Sequence, residues 1–259
     1  MKRVVILTAD ELRHDYFKLK FSLDKDVEVL KTYCDITKKR YPSGEIDYTD
    51  LDQVHFSSRH QTEKDFFQEC VSSFEDKSNS KYITRGDVNL DICVDEIRDL
   101  NPDYIVTYGC CIIKPRLLQL FKNRIINVHL GLSPYYFGAG TNFHPFVNNE
   151  LAAVGCTYMY MNEGIDTGEI IHQIRASVDS CDSIHQVGNR LIKEMTSEFV
   201  KKIPPVSDKV GKTYKMKDCT LETIVQAYEN IESGICVEYL KNKGNLDAAL
   251  PLVQQDFLC

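Results

Sequence analysis

The chain has 259 residues, of which 43% are hydrophobic and 27% are charged. This is the composition of an ordinary globular protein, and it argues against a collagen-like, coiled-coil or disordered chain. The formal net charge of −7 disfavours binding to nucleic acid or to an anionic membrane surface.

The N-terminus and the cysteines indicate the compartment. Only residues 4–8 form an apolar run before Asp10, which is too short for the core of a signal peptide. No stretch approaches the roughly 18 apolar residues of a membrane-spanning helix. None of the ten cysteines form a Cys-x-x-Cys pair, and several lie in apolar runs, as small hydrophobic residues do. We therefore expect a cytoplasmic location, free thiols and no membrane partner.

Strands and helices are predicted to alternate along the first half of the chain. Residues 2–8 (KRVVILT) form a run typical of a strand that is buried on both faces. Asp10 is expected to cap the helix that follows. The polar residues 38–64 predict an extended loop or short helices. The other elements predicted here are a strand at 27–33, a helix at 90–100, a strand at 104–108 and a helix at 115–121.

The alternation continues to a pair of prolines. The predicted elements are strands at 124–128, 154–161 and 169–178, a short helix at 141–149 and a long helix at 183–203. Pro204 and Pro205 end this helix, so we expect a main domain at 1–204 and a small C-terminal subdomain at 205–259. The pattern predicts a three-layer, doubly wound α/β fold with a mostly parallel sheet. Ligands of such folds bind beyond the carboxyl ends of the strands.

Two polar residues stand at the end of one predicted strand. Asn127 and His129 are two positions apart, so their side chains are expected on the same face of the sheet. An amide can donate a hydrogen bond to a developing oxyanion, and an imidazole can exchange a proton near neutral pH. An ordinary polar strand end with a hydrogen-bonded histidine gives the same pattern.

A glycine-flanked aspartate lies between the last two predicted strands, in Gly164-Ile165-Asp166-Thr167-Gly168. The glycines allow a tight turn that presents the carboxylate inward, where it could orient the imidazole of His129. Asp-Thr-Gly also occurs in aspartic proteases, but those enzymes need two such aspartates and this chain has one Asp-Thr-Gly only.

Three motifs occur in order: Asn127-x-His129, a Leu-x-Pro-like turn that ends in Gly138, and the Gly164–Gly168 motif. Together they resemble the formyltransferase family that uses 10-formyltetrahydrofolate. Members of that family include glycinamide ribonucleotide transformylase, methionyl-tRNA formyltransferase and the sugar-nucleotide N-formyltransferases, which the chain resembles most. The resemblance implies a formyltransferase-like fold and 10-formyltetrahydrofolate as a co-substrate.

The resemblance also implies roles for individual residues. Asn127, His129 and Asp166 would be catalytic. The residues implied to bind the folate are Tyr108, Gly109, Cys110, Cys111, Ile112, Gly164 and Thr167. Candidates for binding the acceptor lie after the first strand and after His129, and they are Asp10, Arg13, Ser133, Tyr135, Phe137 and Gly138. No metal is required, because His55 and His60 have no third ligand at a recognisable spacing.

Departures from the family pattern concern the acceptor. Where the tRNA and purine enzymes typically read His-x-Ser-Leu-Leu-Pro, this chain has His129-Leu-Gly-Leu-Ser-Pro134. Where the tRNA enzyme typically carries an arginine just before the loop glycine, this chain has Phe137, preceded by Tyr135 and Tyr136. These aromatic side chains suit stacking on a base or a sugar better than binding a phosphate backbone. The segment after 204 is also shorter than the nucleic-acid-binding barrel of the tRNA enzyme.

We therefore expect an N-formyltransferase that acts on the amine of a nucleotide-linked amino sugar, with no nucleic acid as partner. Asn127 would donate to the oxyanion, and His129 would stabilise the oxyanion or shuttle the proton. The alternatives are a formyltetrahydrofolate hydrolase, a glycinamide ribonucleotide or methionyl-tRNA formyltransferase, and a non-catalytic folate-binding module. The resemblance also allows for a homodimer.

Overall fold

A computed structural model describes residues 1–37, 51–179 and 182–203. The strands are β1 (Lys2–Ala9), β2 (Val27–Ile36), β3 (Ser80–Thr84), β4 (Tyr104–Thr107), β5 (Ile125–His129), β6 (Gly155–Tyr160) and β7 (Ile170–Arg175). The α-helices are α1 (Leu12–Ser22), α2 (Leu51–Glu63), α3 (Glu69–Ser73), α4 (Asp91–Leu100), α5 (Pro115–Leu120), α6 (His144–Val147) and α7 (Ile184–Lys202). A π-helical turn, Lys64–Gln68, joins α2 to α3, and short 3-10 helices lie at Asp87–Asn89 and Leu151–Ala153.

The strands form one seven-stranded sheet in the order β3-β2-β1-β4-β5-β6-β7. The first five strands in this order pair in parallel, whereas β6 and β7 run antiparallel. The prediction of a mostly parallel α/β sheet is confirmed. The strand order reverses between β1 and β4, and this is the point at which doubly wound sheets form a ligand crevice.

Both faces of the sheet are buried, as the apolar run of β1 predicts. Val4 and Ile6 pack in one hydrophobic cluster with aromatic residues of α1 and α7, among them Phe17 and Phe199. Val5 and Leu7 belong to a second cluster, which contains the buried apolar residues of α4 and α5. Because alternate residues of a strand point to opposite faces, a strand covered on both sides has no polar position in its centre.

Most predicted elements are present within a few residues of their expected bounds. The long helix α7 begins after Ser183, whose hydroxyl accepts from the Gln186 backbone N–H while the Gln186 side chain accepts from the backbone N–H of Ser183. This reciprocal pair is a capping box, and it fixes the start of the helix.

The cap predicted for α1 is wrong. The residue at the cap position is Glu11, and its side chain makes no capping hydrogen bond. Asp10 instead accepts hydrogen bonds from the backbone N–H of Thr37, at 3.0 Å, and from the Thr37 hydroxyl. Its carboxylate therefore joins the ends of β1 and β2.

The polar region after β2 is helical in its described part. Of the two alternatives predicted for 38–64, an extended loop or short helices, residues 51–63 form the helix α2, whereas β3 was not predicted. The predicted boundary at 204 and the segment 205–259 lie outside the described residues, so the division into two domains stays a prediction. No helix in the described ranges is long and apolar enough to cross a membrane.

Candidate active site

A cavity of about 720 Å³ opens where the carboxyl ends of the central strands meet the loops before and after β6. Asn127, His129 and Asp166 all line it. Its size is within the range of small-molecule binding sites, which is roughly 300 to 1,000 Å³. The three residues that the motifs single out therefore share one ligand-sized space.

The three side chains are in direct contact. The amide Nδ2 of Asn127 donates to Oδ1 of Asp166 at 3.0 Å. The Nδ1 atom of His129 lies 3.3 Å from Oδ2 of the same carboxylate. The side chain of His129 is 7% exposed and that of Asp166 is 11% exposed, so their interaction is largely shielded from water. An amide and an imidazole from β5 thus meet one carboxylate from the loop before β7.

The orientation of the Asn127 amide is fixed from behind by Thr107. The Thr107 hydroxyl donates to Oδ1 of Asn127 at 2.8 Å, and the two residues are partners in the parallel register of β4 and β5. Since Oδ1 is engaged there, Nδ2 faces Asp166. The nitrogen carries two hydrogens, so one N–H remains for a further acceptor.

Both ring nitrogens of His129 face acceptors. Opposite the carboxylate, Nε2 lies 2.9 Å from the backbone oxygen of Tyr136. A single ring hydrogen can satisfy only one of these contacts. The ring also depends on the absence of a side chain at Gly131, where an added Cβ would overlap Nε2 of His129 and crowd Thr141.

Asp166 is held in an unusual backbone conformation. Its φ is 52°, in the left-handed region that few residues other than glycine adopt. The Gly138 backbone N–H donates to Oδ2 at 2.9 Å, so the loop after His129 is also attached to this carboxylate. The expected inward-facing turn is present, and its backbone strain is typical of functional sites.

The loop that follows β4 is anchored from two sides. Asp35, at the end of β2, accepts from the Cys111 backbone N–H at 2.7 Å. Asn89 donates to the Ile112 carbonyl at 3.0 Å and accepts from the Lys114 backbone N–H at 2.7 Å. The loop is therefore preorganised without the help of a ligand.

The thiols of this loop are suited to packing rather than to catalysis. Burial raises the pKa of Cys111 to about 11, and it also raises the pKa of Cys110. A thiol with a raised pKa is a poor nucleophile. The cysteines of the described residues are all free: Cys34, Cys70, Cys93, Cys110, Cys111 and Cys156.

Every residue that the resemblance assigns to folate lines the cavity. These residues are Tyr108, Gly109, Cys110, Cys111, Ile112, Gly164 and Thr167. Two of the acceptor candidates, Arg13 and Gly138, line it as well. Arg13 is ion-paired there with Glu63, at 2.7 Å, and with Glu11.

The other acceptor candidates lie outside this cavity. Asp10 lines a second, neighbouring cavity. Ser133 is 5% exposed and bonds through its backbone to Thr157 and Gln173. Tyr135 and Phe137 are 51% and 44% exposed. Contact between these four residues and an acceptor stays a prediction, and for Ser133 the burial indicates a structural role.

Sequence reasoning missed three supporting residues, Thr107, Asp35 and Asn89. Thr107 could have been found from the strand register, because it stands at the end of the strand next to that of Asn127. Asp35 and Asn89 had no such signal, because the strand predicted at 27–33 ended before Asp35 and no element was predicted at Asn89. Groups of three or more histidine, cysteine or acidic side chains that could hold a metal ion do not occur among the described residues.

Comparison with known proteins points to one family. A family model described as Formyl transferase matches residues 48–203. Methionyl-tRNA formyltransferase of Ehrlichia ruminantium is 31% identical over 131 residues, which are 48% of this chain and 43% of that protein. The same enzyme of Clostridioides difficile is 36% identical over 109 residues, 39% of this chain and 35% of that protein. The chain thus spans less than half the length of these curated relatives.

Solved structures show the same fold at low identity. Phosphoribosylglycinamide formyltransferase from Anaplasma phagocytophilum superposes with a TM-score of 0.54 and 16% identity, over 78% of this chain and 84% of that chain. A formyltetrahydrofolate deformylase from Pseudomonas syringae has a TM-score of 0.51 and 18% identity, over 80% of this chain and 64% of that chain. These similarities establish the fold and leave the reaction to be argued from the site.

Proposed function

This chain belongs to the formyl transferase family, and we propose that it transfers the formyl group of 10-formyltetrahydrofolate to the amine of a nucleotide-linked amino sugar. The contact of Asn127 and His129 with a single carboxylate, Asp166, is the observation that carries the proposal. These groups provide a hydrogen-bond donor, an imidazole and a negative charge at one point of a ligand-sized cavity.

The cavity suits a folate as the formyl donor. Ile112 and Ile165 line it from two different loops, and they are 77% and 62% exposed. Exposed apolar side chains at a cavity wall favour a flat, partly apolar ligand such as a pterin ring. The anchored loop of residues 108–112 would hold the ring, and the bound folate supplies the formyl carbon to be transferred.

Each residue of the site then has a task. The free N–H of Asn127 donates to the formyl oxygen, on which negative charge develops when an amine attacks the carbonyl carbon. Asp166 holds the Asn127 amide and the His129 ring in place. His129 balances the developing charge or moves a proton between the nitrogens. The backbone carbonyl of Tyr136 lies within hydrogen-bond distance of Nε2 of His129. Proton transfer at Nε2 therefore requires this carbonyl to move away.

The aromatic loop supports a sugar-nucleotide acceptor. Tyr135 and Phe137 expose about half of their surface just beyond the catalytic histidine. Exposed aromatic side chains stack on a base or on the apolar face of a sugar. The net charge of −7 weakens attraction to a polyanion.

Methionyl-tRNA is the second candidate acceptor, because the curated relatives at 31% and 36% identity are named methionyl-tRNA formyltransferases. Hydrolysis of 10-formyltetrahydrofolate to formate and tetrahydrofolate is a third outcome, and the Pseudomonas syringae neighbour is named a formyltetrahydrofolate deformylase. It would use the same residues with water as the nucleophile.

One assay compares these acceptors. The protein is incubated with 10-formyltetrahydrofolate and, in separate reactions, with UDP-, dTDP- and GDP-linked amino sugars, with methionyl-tRNA, with glycinamide ribonucleotide and without an acceptor. We expect a formylated amine, with release of tetrahydrofolate, only with an amino-sugar nucleotide. Formylated methionyl-tRNA, or equal release of tetrahydrofolate without an acceptor, would contradict the proposed acceptor while keeping the folate chemistry.

A further inference from the structure

Two amide side chains at the cavity have buried atoms without a hydrogen-bond partner. Asn142 lies between Gly138 and α6, and both its Nδ2 and its Oδ1 are shielded from water and unpaired. Asn189 lies on α7 and is 5% exposed, and its Nδ2 is likewise shielded and unpaired. Both residues line the cavity that contains Asn127 and Asp166.

Such amides are unusual in a folded protein. Buried polar side-chain atoms nearly always have a partner, because leaving one unpaired forfeits its hydration without compensation. The other asparagine side chains around the site follow this rule: Asn127 bonds to Thr107 and Asp166, and Asn162 bonds to Thr167. The missing partners of Asn142 and Asn189 therefore require an explanation, and the cavity beside them offers one.

We propose that Asn142 and Asn189 bind hydroxyl groups of the acceptor's sugar ring, an inference that rests on the proposed function. An amide offers N–H donors and a carbonyl acceptor, and a hydroxyl can both donate and accept, so the two groups match without any charge. A phosphate would instead call for arginine or lysine. Three arginines line the same cavity, and each already faces a carboxylate. Arg13 and Arg59 pair with Glu63 at 2.7 and 3.2 Å, and Arg85 lies 4.0 Å from Asp35.

An aromatic wall next to the two amides fits the same ligand. Phe143 follows Asn142 and is 43% exposed. The His55 ring meets Phe143 edge-on at 5.5 Å and packs 4.8 Å from the His185 ring, which is one helical turn before Asn189. Rings of this kind pack against the apolar C–H face of a sugar, while neighbouring amides bind its hydroxyls. The amides and the rings come from α2, the Asn142 segment and α7, and none comes from the loop assigned to the folate.

The amide atoms are shielded from water, so an acceptor meets them when the side chains turn into the cavity. The terminal torsion of asparagine is broad, and no hydrogen bond of these amide atoms has to break for the turn. The two amides are thus available for a ligand at low cost.

The test uses Asn142→Leu, Asn189→Leu and a control, Gln119→Leu, which changes an exposed amide on α5 outside the cavity. Thermal unfolding of each free protein is measured, together with kcat and KM for the acceptor and for 10-formyltetrahydrofolate. We expect Asn142→Leu to unfold at the same or a higher temperature than the wild type, since an unpaired polar group is removed. Asn189→Leu should also unfold at the same or a higher temperature, because leucine has a higher helix propensity than asparagine as well. Glutamine and leucine have similar propensities, so Gln119→Leu should change the unfolding temperature little.

For the acceptor, KM should rise at least about tenfold in both cavity variants, which is the effect of losing one good hydrogen bond. The KM for the folate should stay within about twofold of the wild type. A lower unfolding temperature with unchanged acceptor KM would show that the amides are structural, and it would overturn the inference.

Deoxygenated acceptors identify the group that is bound. Removing the contacted sugar hydroxyl should lower kcat/KM of the wild type but have little further effect in the variant that lacks its amide. An equal loss of kcat/KM in the wild type and in both variants would contradict a hydroxyl contact. If kcat/KM depended instead on changes to the nucleobase of the acceptor, the amides would be assigned to the nucleobase, and the inference would be overturned. If the wild type formylates no amino-sugar nucleotide, the proposed function itself fails, and this inference fails with it.

Discussion

The Thr107 hydroxyl donates to the Asn127 amide oxygen over 2.8 Å, and this bond determines which end of the amide faces the cavity. Without it the amide could rotate and present its oxygen to Asp166, where two acceptors would repel each other. Thr107→Val, which keeps the shape and removes the hydroxyl, should therefore lower kcat about tenfold, corresponding to about 1.4 kcal/mol of lost positioning. Steady-state kinetics should show KM values close to the wild type.

Thr107→Ser keeps the hydroxyl and serves as the matched control. It should retain most of the activity. Equal losses in the valine and serine variants would mean that packing at this position, and not the hydrogen bond, supports the site.

Gly131 leaves room for the His129 ring. A Cβ at this position would overlap Nε2 of His129 and lie too close to Thr141, so Gly131→Ala should displace the ring from Tyr136 and Asp166. We expect kcat to fall at least about tenfold and the free energy of unfolding to fall by about 1 to 3 kcal/mol, as for other overpacked sites. Activity assays combined with urea unfolding separate the two effects. An alanine variant with wild-type kcat would show that the ring position is not critical.

Asn89 holds the C-terminal end of the loop assigned to the folate, through the Ile112 carbonyl and the Lys114 backbone N–H. Asn89→Ala removes these bonds. Because a lost hydrogen bond costs about 1 kcal/mol, the KM or Kd for 10-formyltetrahydrofolate should rise about five- to tenfold. The acceptor KM should not change. Gln61→Ala is the control, because the Gln61 side chain is exposed and its amide bonds to Asp65 on the same helical surface. A variant with unchanged folate affinity would place the folate elsewhere in the cavity.

His185 makes folding stability depend on pH. Burial, reinforced by the nearby His55 and Arg59, lowers the pKa of His185 to about 4. An unfolded histidine binds a proton below a pKa of about 6.5. Between these two values the unfolded state holds more protons than the folded state, so stability is full above pH 6.5 and falls as the pH drops toward 4.

A pKa shift from about 6.5 to about 4 is equivalent to about 3 kcal/mol, and the His185 ring is partly exposed, so solvent screening should leave a loss of about 2 kcal/mol. His185→Gln should remove this loss. Urea unfolding at pH 4, 5, 6 and 7 measures it, with His144→Gln as a control at an exposed histidine. Parallel curves for the wild type and His185→Gln would contradict the lowered pKa.

The sheet and the grouping of Asn127, His129 and Asp166 were predictable because they depend on local signals. β1 and β5 are recognisable as buried strands from their apolar runs, and strand periodicity places Asn127 and His129 on one face. The glycine-flanked Asp166 indicates a special turn, and its φ of 52° fits that interpretation. Such signals lie within a few residues of the groups that they position.

What was not predictable depends on contacts between distant segments. The Tyr136 carbonyl reaches His129, and Asp10 pairs with Thr37 instead of capping α1. A backbone carbonyl has no sequence signature, and an aspartate has many acceptable partners. The unpaired amides of Asn142 and Asn189 become visible only when the whole surroundings of each side chain are known.

Asp166→Asn tests most directly whether Asn127, His129 and Asp166 carry the reaction. Asparagine tolerates the left-handed backbone of this turn, so the fold is kept. The substitution removes the negative charge that faces His129. It also removes one of the two carboxylate oxygens that accept from Asn127 and Gly138. Single-turnover formyl transfer is measured next to 10-formyltetrahydrofolate affinity. We predict a rate about 10²- to 10³-fold below the wild type with folate affinity nearly unchanged. A variant that transfers formyl at the wild-type rate would contradict the assignment of this site.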